Sequence, residues 1–420
     1  MKQVDTDIVS RVASHYAPAP PDAARRDKSR LYNSGWLWLG MFFLISCQSK
    51  SQQANQNRVA ASPSALVGGG CDGCERMYLE MPAVIPSTDT SFGWTEARTK
   101  LVVTGTVYQN DGRTPAPDVI VYYWQTDEQG FYSNNQASGL ANTRHGSRRG
   151  WMKTGADGKY TLHTNRPAAY PDRDIAAHIH LAIKEQDIAD EYYVDELVFD
   201  DDPLLTTAKR KVLENRGGSG VMRPREEDGS LVAEHDIILG LHIPNYPENK
   251  TGKKETGLSI GEESPSFTPY HAWGPDRGSK ACPVCKYGRN YGILYFVKNA
   301  NRIDEVKEWL VFLEKLSREK MDQLKVYMIV EAGGDRAATI QRLERLGREL
   351  DIRRLALTVV PSFGDEASDV VLYGLAAADG RDARTTFNTF IVYKGRVVID
   401  KYEDLKPMAT DFEKLTRKLR

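Results

Sequence analysis

Two histidines one residue apart, His178 and His180 in the run HIHLAI, are the first residues whose types and spacing could do chemistry. Successive side chains of an extended strand point to opposite faces, so positions two apart share a face. Two imidazoles presented side by side can ligate one metal ion. Four of the five cysteines form a second pattern, C-x-x-C, at Cys71/Cys74 and Cys282/Cys285. Such a pair closes a local disulfide, acts as a redox dithiol or supplies half of a four-thiolate zinc site, and the sequence leaves these readings open. A third cluster is basic: Arg144, His145, Arg148 and Arg149 in TRHGSRRGW read either as a solvated loop or as a substrate-facing one. His235 and His242, in AEHDIILGLHIPNYP, read as structural histidines.

These residues need elements to position them. The chain has 420 residues, 40% hydrophobic and 27% charged, enough apolar material for two ordinary domains. With 56 Lys and Arg against 57 Asp and Glu it has no net basic field, which argues against a nucleic-acid partner. Short β-rich runs, LVVTGTVY, VIVYYWQT, KYTLHT and HIHLAI, are separated by DGRTPAPD and ADGK turns between about residues 100 and 247. This spacing predicts an antiparallel β-sandwich. Residues 248–280, rich in Gly, Ser, Pro, Glu and Lys, predict a linker. Beyond it the period changes: strand-like runs at 293–297, 326–330 and 355–360 alternate with amphipathic segments at 303–319 and 335–350. A strand pair at 389–393 and 397–400 and a helix near 408–419 follow, the order of an α/β domain.

Residues 75–247 resemble the intradiol ring-cleavage dioxygenases, the non-haem ferric enzymes that open catechols between the two hydroxylated carbons. The resemblance rests on Tyr132 in VYYWQTDEQGFYS, Tyr170 in RPAAYPD, and His178 and His180 in AAHIH, with TGTVYQNDGRTPAPDV, GWMKTGADGKYTLHT and ELVFDDDPLL in agreement around them. It implies that these four residues hold Fe(III), that the substrate is a catechol-type diol cleaved with O2 to a muconate-type diacid, and that Tyr170 is displaced by substrate and takes a proton. Two phenolates are hard anionic donors that favour ferric over ferrous iron, and a bound trivalent cation lowers a phenol's pKa. One position departs from the pattern. Where the family carries Arg three residues before the first His, to stabilise the ketonised substrate, this chain has Ile175, and Arg173 is the nearby cation that could substitute.

The two ends carry further expectations. Arg25, Arg26, Lys28 and Arg30 precede the apolar run Trp36–Ile45, too short to span a bilayer, and then Leu44-Ile45-Ser46-Cys47. This resembles a bacterial lipobox, which implies an exported, membrane-anchored envelope lipoprotein acylated at Cys47, with residues 1–47 as extension and signal. Residues 48–70 then form a flexible tether. In an oxidising compartment Cys71/Cys74 is expected as a local disulfide. Residues 281–420 resemble a divergent thioredoxin-like domain, with Cys282/Cys285 ahead of the first strand instead of after it and Asn388 where a cis proline is usual. The expectation is thus a β-sandwich of residues 71–247 that acts as an Fe(III) dioxygenase, followed by an α/β accessory domain. The alternatives are an exported thiol-disulfide redox protein and a non-catalytic iron or catecholate binder, and oligomeric state is left open.

Overall fold

Apolar alternation in the middle of the chain folds into two facing sheets. The structure is a computed structural model and describes residues 66–71, 73–140, 143–247, 257–376 and 386–419. The expected signal, Cys47 and most of the tether lie outside the described residues. The strands of the first region are β1 (Thr88–Thr90), β2 (Lys100–Tyr108), β3 (Ile120–Gln125), β4 (Arg149–Lys153), β5 (Lys159–Asn165) and β6 (His178–Lys184). Shorter ones follow: β7 (Tyr192–Tyr193), β8 (Leu197–Phe199), β9 (Val221–Met222), β10 (Arg225–Glu227), β11 (Ser230–Glu234) and β12 (Ile237–Ile238). One sheet has the order β1-β5-β2-β11-β10 with β12 also on β2; the other is β4-β3-β6-β8-β9 with β7 on β6.

The central pairs β2–β5, β3–β4 and β3–β6 are antiparallel, as the alternation predicts. The flanking pairs β1–β5, β11–β2, β12–β2 and β8–β9 are parallel, so the expectation of an antiparallel sandwich is corrected to a mixed one. Parallel neighbours need a crossover, and the long irregular connections between these short strands supply it. Between the sheets Leu101, Val103, Val121, Tyr123, Leu162, Ile179, Leu181 and Ile183 form a buried core. Each such side chain contributes about 1.5–3 kcal/mol on burial.

The rest of the chain builds a third sheet from β13 (Tyr270–Trp273), β14 (Tyr291–Val297), β15 (Leu324–Glu331), β16 (Ala356–Val360), β17 (Asn388–Lys394) and β18 (Val397–Glu403). Their order is β13-β16-β15-β14-β17-β18, with β14, β15 and β16 parallel. The helices are α1 (Thr207–Lys211) in the sandwich, then α2 (Pro283–Tyr287), α3 (Lys307–Lys320), α4 (Arg336–Glu349) and α5 (Ala409–Thr416). The three longest, α3, α4 and α5, share one face of this sheet, where Trp309, Leu313, Leu343 and Leu415 meet Ile293, Tyr295 and Val297.

Leu294 and Phe296, alternating to the other face, are covered by Ile260, Phe267, Val284 and Tyr373, together with Ile238, Tyr108 and Leu241 of the sandwich. The expected linker at 248–280 is therefore corrected in its described part. Tyr270–Trp273 pairs antiparallel with β16, and Ser264 and Phe267 are fully buried. A polar composition concealed four residues, YHAW, that suffice for an edge strand. Asp400 on β18, 1% exposed, accepts hydrogen bonds from Arg113 of the sandwich at 3.1 Å and from Arg417 at 3.0 Å. The described residues belong to one compact unit, Ala65–Arg420. Among them no helix is long and apolar enough to cross a membrane.

Candidate metal centre

The strand β6 has two faces with different tasks. Ile179, Leu181 and Ile183 point into the sandwich core, while His178, His180 and Ala182 point outward. Strand β3 alternates in the same way: Val121 and Tyr123 face in, Tyr122 and Trp124 face out. Register places Trp124 directly opposite His180 and Tyr122 opposite Ala182. The outer face is roofed by the segment that carries Cys71 and Cys74, where Cys74 and Met77 pack on Tyr122, Trp124 and Trp151.

Both tyrosines come from loops beyond the strand ends. After β3 the Asp127 carboxylate accepts the backbone N–H of Gln129 (2.9 Å) and Phe131 (3.0 Å) and the Ser133 hydroxyl (2.5 Å), folding the chain back so that Tyr132 points at β6. Gly130 has φ +87°, and a Cβ there would lie 2.2 Å from the Ala169 carbonyl oxygen. Only glycine allows the Tyr132 loop to approach the Tyr170 loop this closely. The two loops are also bonded to each other, with Ala168 N–H donating to the Asp127 carbonyl (3.0 Å) and the Thr126 hydroxyl to the Ala168 carbonyl (2.8 Å).

The four expected donors converge. Tyr132 Oη lies 2.6 Å from Tyr170 Oη and 2.8 Å from His180 Nε2. Tyr170 Oη lies 3.1 Å from His178 Nε2 and 3.5 Å from His180 Nε2, and the two Nε2 atoms are 3.1 Å apart. Donors about 2 Å from a common ion stand about 3 Å from one another, so this set fits one metal ion. Each imidazole is turned by its other nitrogen. His178 Nδ1–H donates to the Ala176 carbonyl at 2.7 Å, and His180 Nδ1 faces Tyr193 Oη at 2.8 Å and Glu196 Oε1 at 3.1 Å. Both Nε2 lone pairs are thereby left for the centre.

Glu196 makes, with His178 and His180, the one His/Cys/Asp/Glu group among the described residues close enough to suggest a metal. Its carboxylate, however, stands behind His180 on the Nδ1 side, where the Tyr193 hydroxyl also donates to it at 2.7 Å. An imidazole cannot turn both nitrogens to one ion, so Glu196 orients His180, and the two tyrosine oxygens are the ones that stand on the Nε2 side.

Burial dominates the electrostatics of the cluster. Burial raises the pKa of Tyr132 and Tyr170 and lowers that of His178. Glu196 goes the other way: burial opposes its charge, but His178, His180 and Tyr193 outweigh burial and hold the carboxyl well below the usual range. Without a cation burial keeps both phenols protonated. A bound Fe(III) would favour the phenolates.

Other expected residues fall elsewhere. The Arg173 guanidinium lies 5.8 Å from the Tyr170 ring centroid, on an exposed segment, and Ile175 is half-buried. The basic loop is neither solvated nor open to a substrate at its two buried members. Arg149, 2% exposed, pairs with Glu80 at 3.3 Å. His145, 3% exposed, bonds Tyr122 Oη at 2.9 Å and has its pKa lowered to about 3 by burial and the neighbouring cations. Cys71–Cys74 and Cys282–Cys285 are both disulfides. Cys282 caps α2 by accepting the Cys285 N–H at 3.1 Å.

The sequence reading missed Trp124, Tyr193 and Glu196. Trp124 is stacked between His180 (4.7 Å, 11°) and His145 (4.3 Å, 3°). Its place two residues after Tyr122 on the outer face of β3 was the available signal. Nothing local marks Tyr193 or Glu196.

Comparison with known proteins bears on this region. Residues 86–216, which contain all four donors, match a family model described as "Dioxygenase". Catechol 1,2-dioxygenase 1 of Acinetobacter lwoffii is 40% identical over 70 residues, 17% of this chain and 22% of that protein. The chain thus spans about a fifth of the length of this relative. Among solved structures, the dioxygenase domain of a dioxygenase carbohydrate-binding fusion from Streptomyces sp. SirexAA-E is 24% identical and covers 38% of this chain and 91% of its own, with a TM-score of 0.28. Catechol 1,2-dioxygenase from Acinetobacter sp. ADP1 is 17% identical and covers 42% and 64%, with a TM-score of 0.30.

Proposed function

We propose that the sandwich is a non-haem Fe(III) dioxygenase that cleaves a catechol-type diol between its hydroxylated carbons, using O2 and yielding a muconate-type diacid. The observation that carries this reading is the convergence of Tyr132, Tyr170, His178 and His180, with donor atoms 2.6–3.5 Å apart. The dioxygenase match over residues 86–216 supports it. Iron bound there supplies Lewis acidity toward two adjacent oxygens.

The protein supplies the rest. His178 and His180 are held by Ala176 and by Tyr193 with Glu196, so their lone pairs are directed before any ligand arrives. Tyr132 is held by the Asp127 turn. Tyr170 Oη lies within 3.5 Å of all three other donors, and once ionised by a bound cation its phenolate oxygen would be the group that takes a substrate hydroxyl proton. Ile175 stands in the sequence where a cation would be usual. The only charge assistance from this segment is Arg173 beside the Tyr170 ring, and slow turnover with simple catechols is the expected consequence.

The test is a visible absorption spectrum with metal analysis, before and after anaerobic catechol and protocatechuate, followed by oxygen uptake. A red protein with near-stoichiometric iron, a catechol-induced shift and oxygen consumption is the expected result. A colourless protein that resists ferric reconstitution would overturn the proposal. We further propose, on the sequence alone, export and membrane anchoring through Cys47. Mass analysis of the mature N-terminus checks this, and an unacylated chain that still begins before Cys47 would refute it. The α/β sheet we take to be a divergent thioredoxin-like accessory domain, on its β-α-β-α-β-β-β-α order from β14 onward.

A further inference from the structure

We propose that the cavity at the carboxyl ends of β14 and β15 binds a small organic dianion. It measures about 1050 Å³ and lies in the α/β sheet, away from the Tyr and His cluster. The two strands are parallel neighbours, with Val297 opposite Val330 where they end. In open α/β sheets ligands settle outside the carboxyl ends of such strands.

Charge indicates the ligand class. Lys298, Arg302, Arg342 and Arg345 line the cavity, against the two acids Glu331 and Asp335. Both acids are engaged with the backbone: Glu331 Oε1 accepts the Phe363 N–H at 3.0 Å, and Asp335 Oδ1 the Ala338 N–H at 2.9 Å. Two of the bases are engaged as well. Arg302 pairs with Glu305 at 2.6 and 2.8 Å, and Arg342 Nη1 donates to the Ala300 carbonyl at 3.0 Å. Lys298 and Arg345 make no side-chain hydrogen bond or ion pair among the described residues. Arg342 and Arg345 are three residues apart on α4 and so share a face. Four cations against two carboxylates in one concavity, with Lys298 and Arg345 unpaired among the described residues, focus a positive field and match two negative charges.

Space agrees with charge. A Cβ built on Gly333 or Gly334 would meet nothing within 4 Å, so the loop between β15 and α4 borders open volume. The volume is of the size that holds a small molecule. The shared chemistry is a pair of carboxylates or a phosphate. A muconate-type diacid, the product on the ring-cleavage reading, is of the first kind; the cavity itself does not depend on that reading.

Isothermal titration of the full chain with cis,cis-muconate, and separately with inorganic phosphate, at low salt tests the proposal. Saturable one-site binding of at least one anion is expected. Weakening of tenfold or more is expected in a Lys298→Met/Arg345→Gln variant and in Gly334→Leu, which fills the open volume without a positive φ to strain it. Saturation by muconate alone identifies a dicarboxylate site, and by phosphate alone a phosphorylated ligand. Absence of binding by either anion, or binding that both variants leave unchanged, overturns the proposal; the latter would place muconate at the iron centre. Oxygen uptake with catechol on the same preparations stays unchanged in the variants. If the unmodified protein lacks oxygen uptake yet binds a dianion in the variant-sensitive way, ring cleavage fails and the cavity stands.

Discussion

Trp124 is where packing and metal chemistry are most directly joined. Its indole is 5% exposed and lies between two imidazoles, His180 on one side and His145 on the other. Replacing it with Ala removes a buried aromatic side chain, which costs about 3–5 kcal/mol, including two stacked contacts of about 0.5–1.5 kcal/mol each. Unfolding entropy near 2.1 cal/mol/K per residue gives a unit of roughly 350 residues about 0.7 kcal/mol per degree, so the melting temperature of the iron-free protein should fall by about 4–7 °C. The Trp124→Phe variant keeps part of the stack and should fall by less than half of that.

Stability alone would report only packing. The second readout is therefore the phenolate-to-iron absorption band after ferric loading. It should shift or weaken in Trp124→Ala, because His180 keeps Tyr193 and Glu196 but loses the plane that sets its ring. A melting temperature lowered by less than 1 °C would refute the packing argument. A lowered melting temperature with an unmoved band would refute the claim that the stack orients His180.

Three further predictions concern the rest of the molecule. His235, 7% exposed, has its pKa lowered by burial from 6.5 to about 4; the unfolded chain therefore takes up a proton first as pH falls, and about 3 kcal/mol of stability should be lost between about pH 6.5 and 4. His235→Gln should flatten that part of the pH–stability curve, and identical slopes in urea titrations would count against the assignment. Asp400→Ala removes the buried carboxylate shared by Arg113 and Arg417, and because both arginines are partly exposed it should cost about 1–3 kcal/mol, measured as a lower urea midpoint; an unchanged midpoint would show that the pairing contributes nothing. Under mild reduction, alkylation followed by peptide mass analysis should label exposed Cys285 before fully buried Cys74, and the reverse order would contradict the exposures.

Much of this could be read along the chain. Alternation marks β2, β3, β5 and β6 within a residue or two, because a strand with one face in a core must repeat every second residue. The same rule places His178 and His180 on one face. The long helices α3 and α4 follow from their apolar stripes. Four residues, YHAW, were lost in a polar segment because an edge strand needs no long apolar signal, and its partner β16 lies far away in sequence. The parallel flanking pairs were missed for the same reason, since register between distant short strands leaves no local trace.

The amino-acid sequence by itself determined which donors are present: two phenols, two imidazoles on one strand face, and the glycine and aspartate that fold the Tyr132 loop. Tertiary structure alone decided what surrounds them. Glu196 and Tyr193 reach His180 because β7 and β8 both pair with β6, and Trp124 stacks on it because β3 pairs in a register that places the two side by side. Two members of the basic loop, His145 and Arg149, became interior, Arg149 against the Leu79–Glu80 segment, and Lys298 and Arg345 were brought to one cavity by the winding of β14 and α4. Periodicity acts between neighbours in sequence and is written there, whereas cross-strand and cross-loop contacts depend on which distant surfaces meet when the whole chain buries its apolar area.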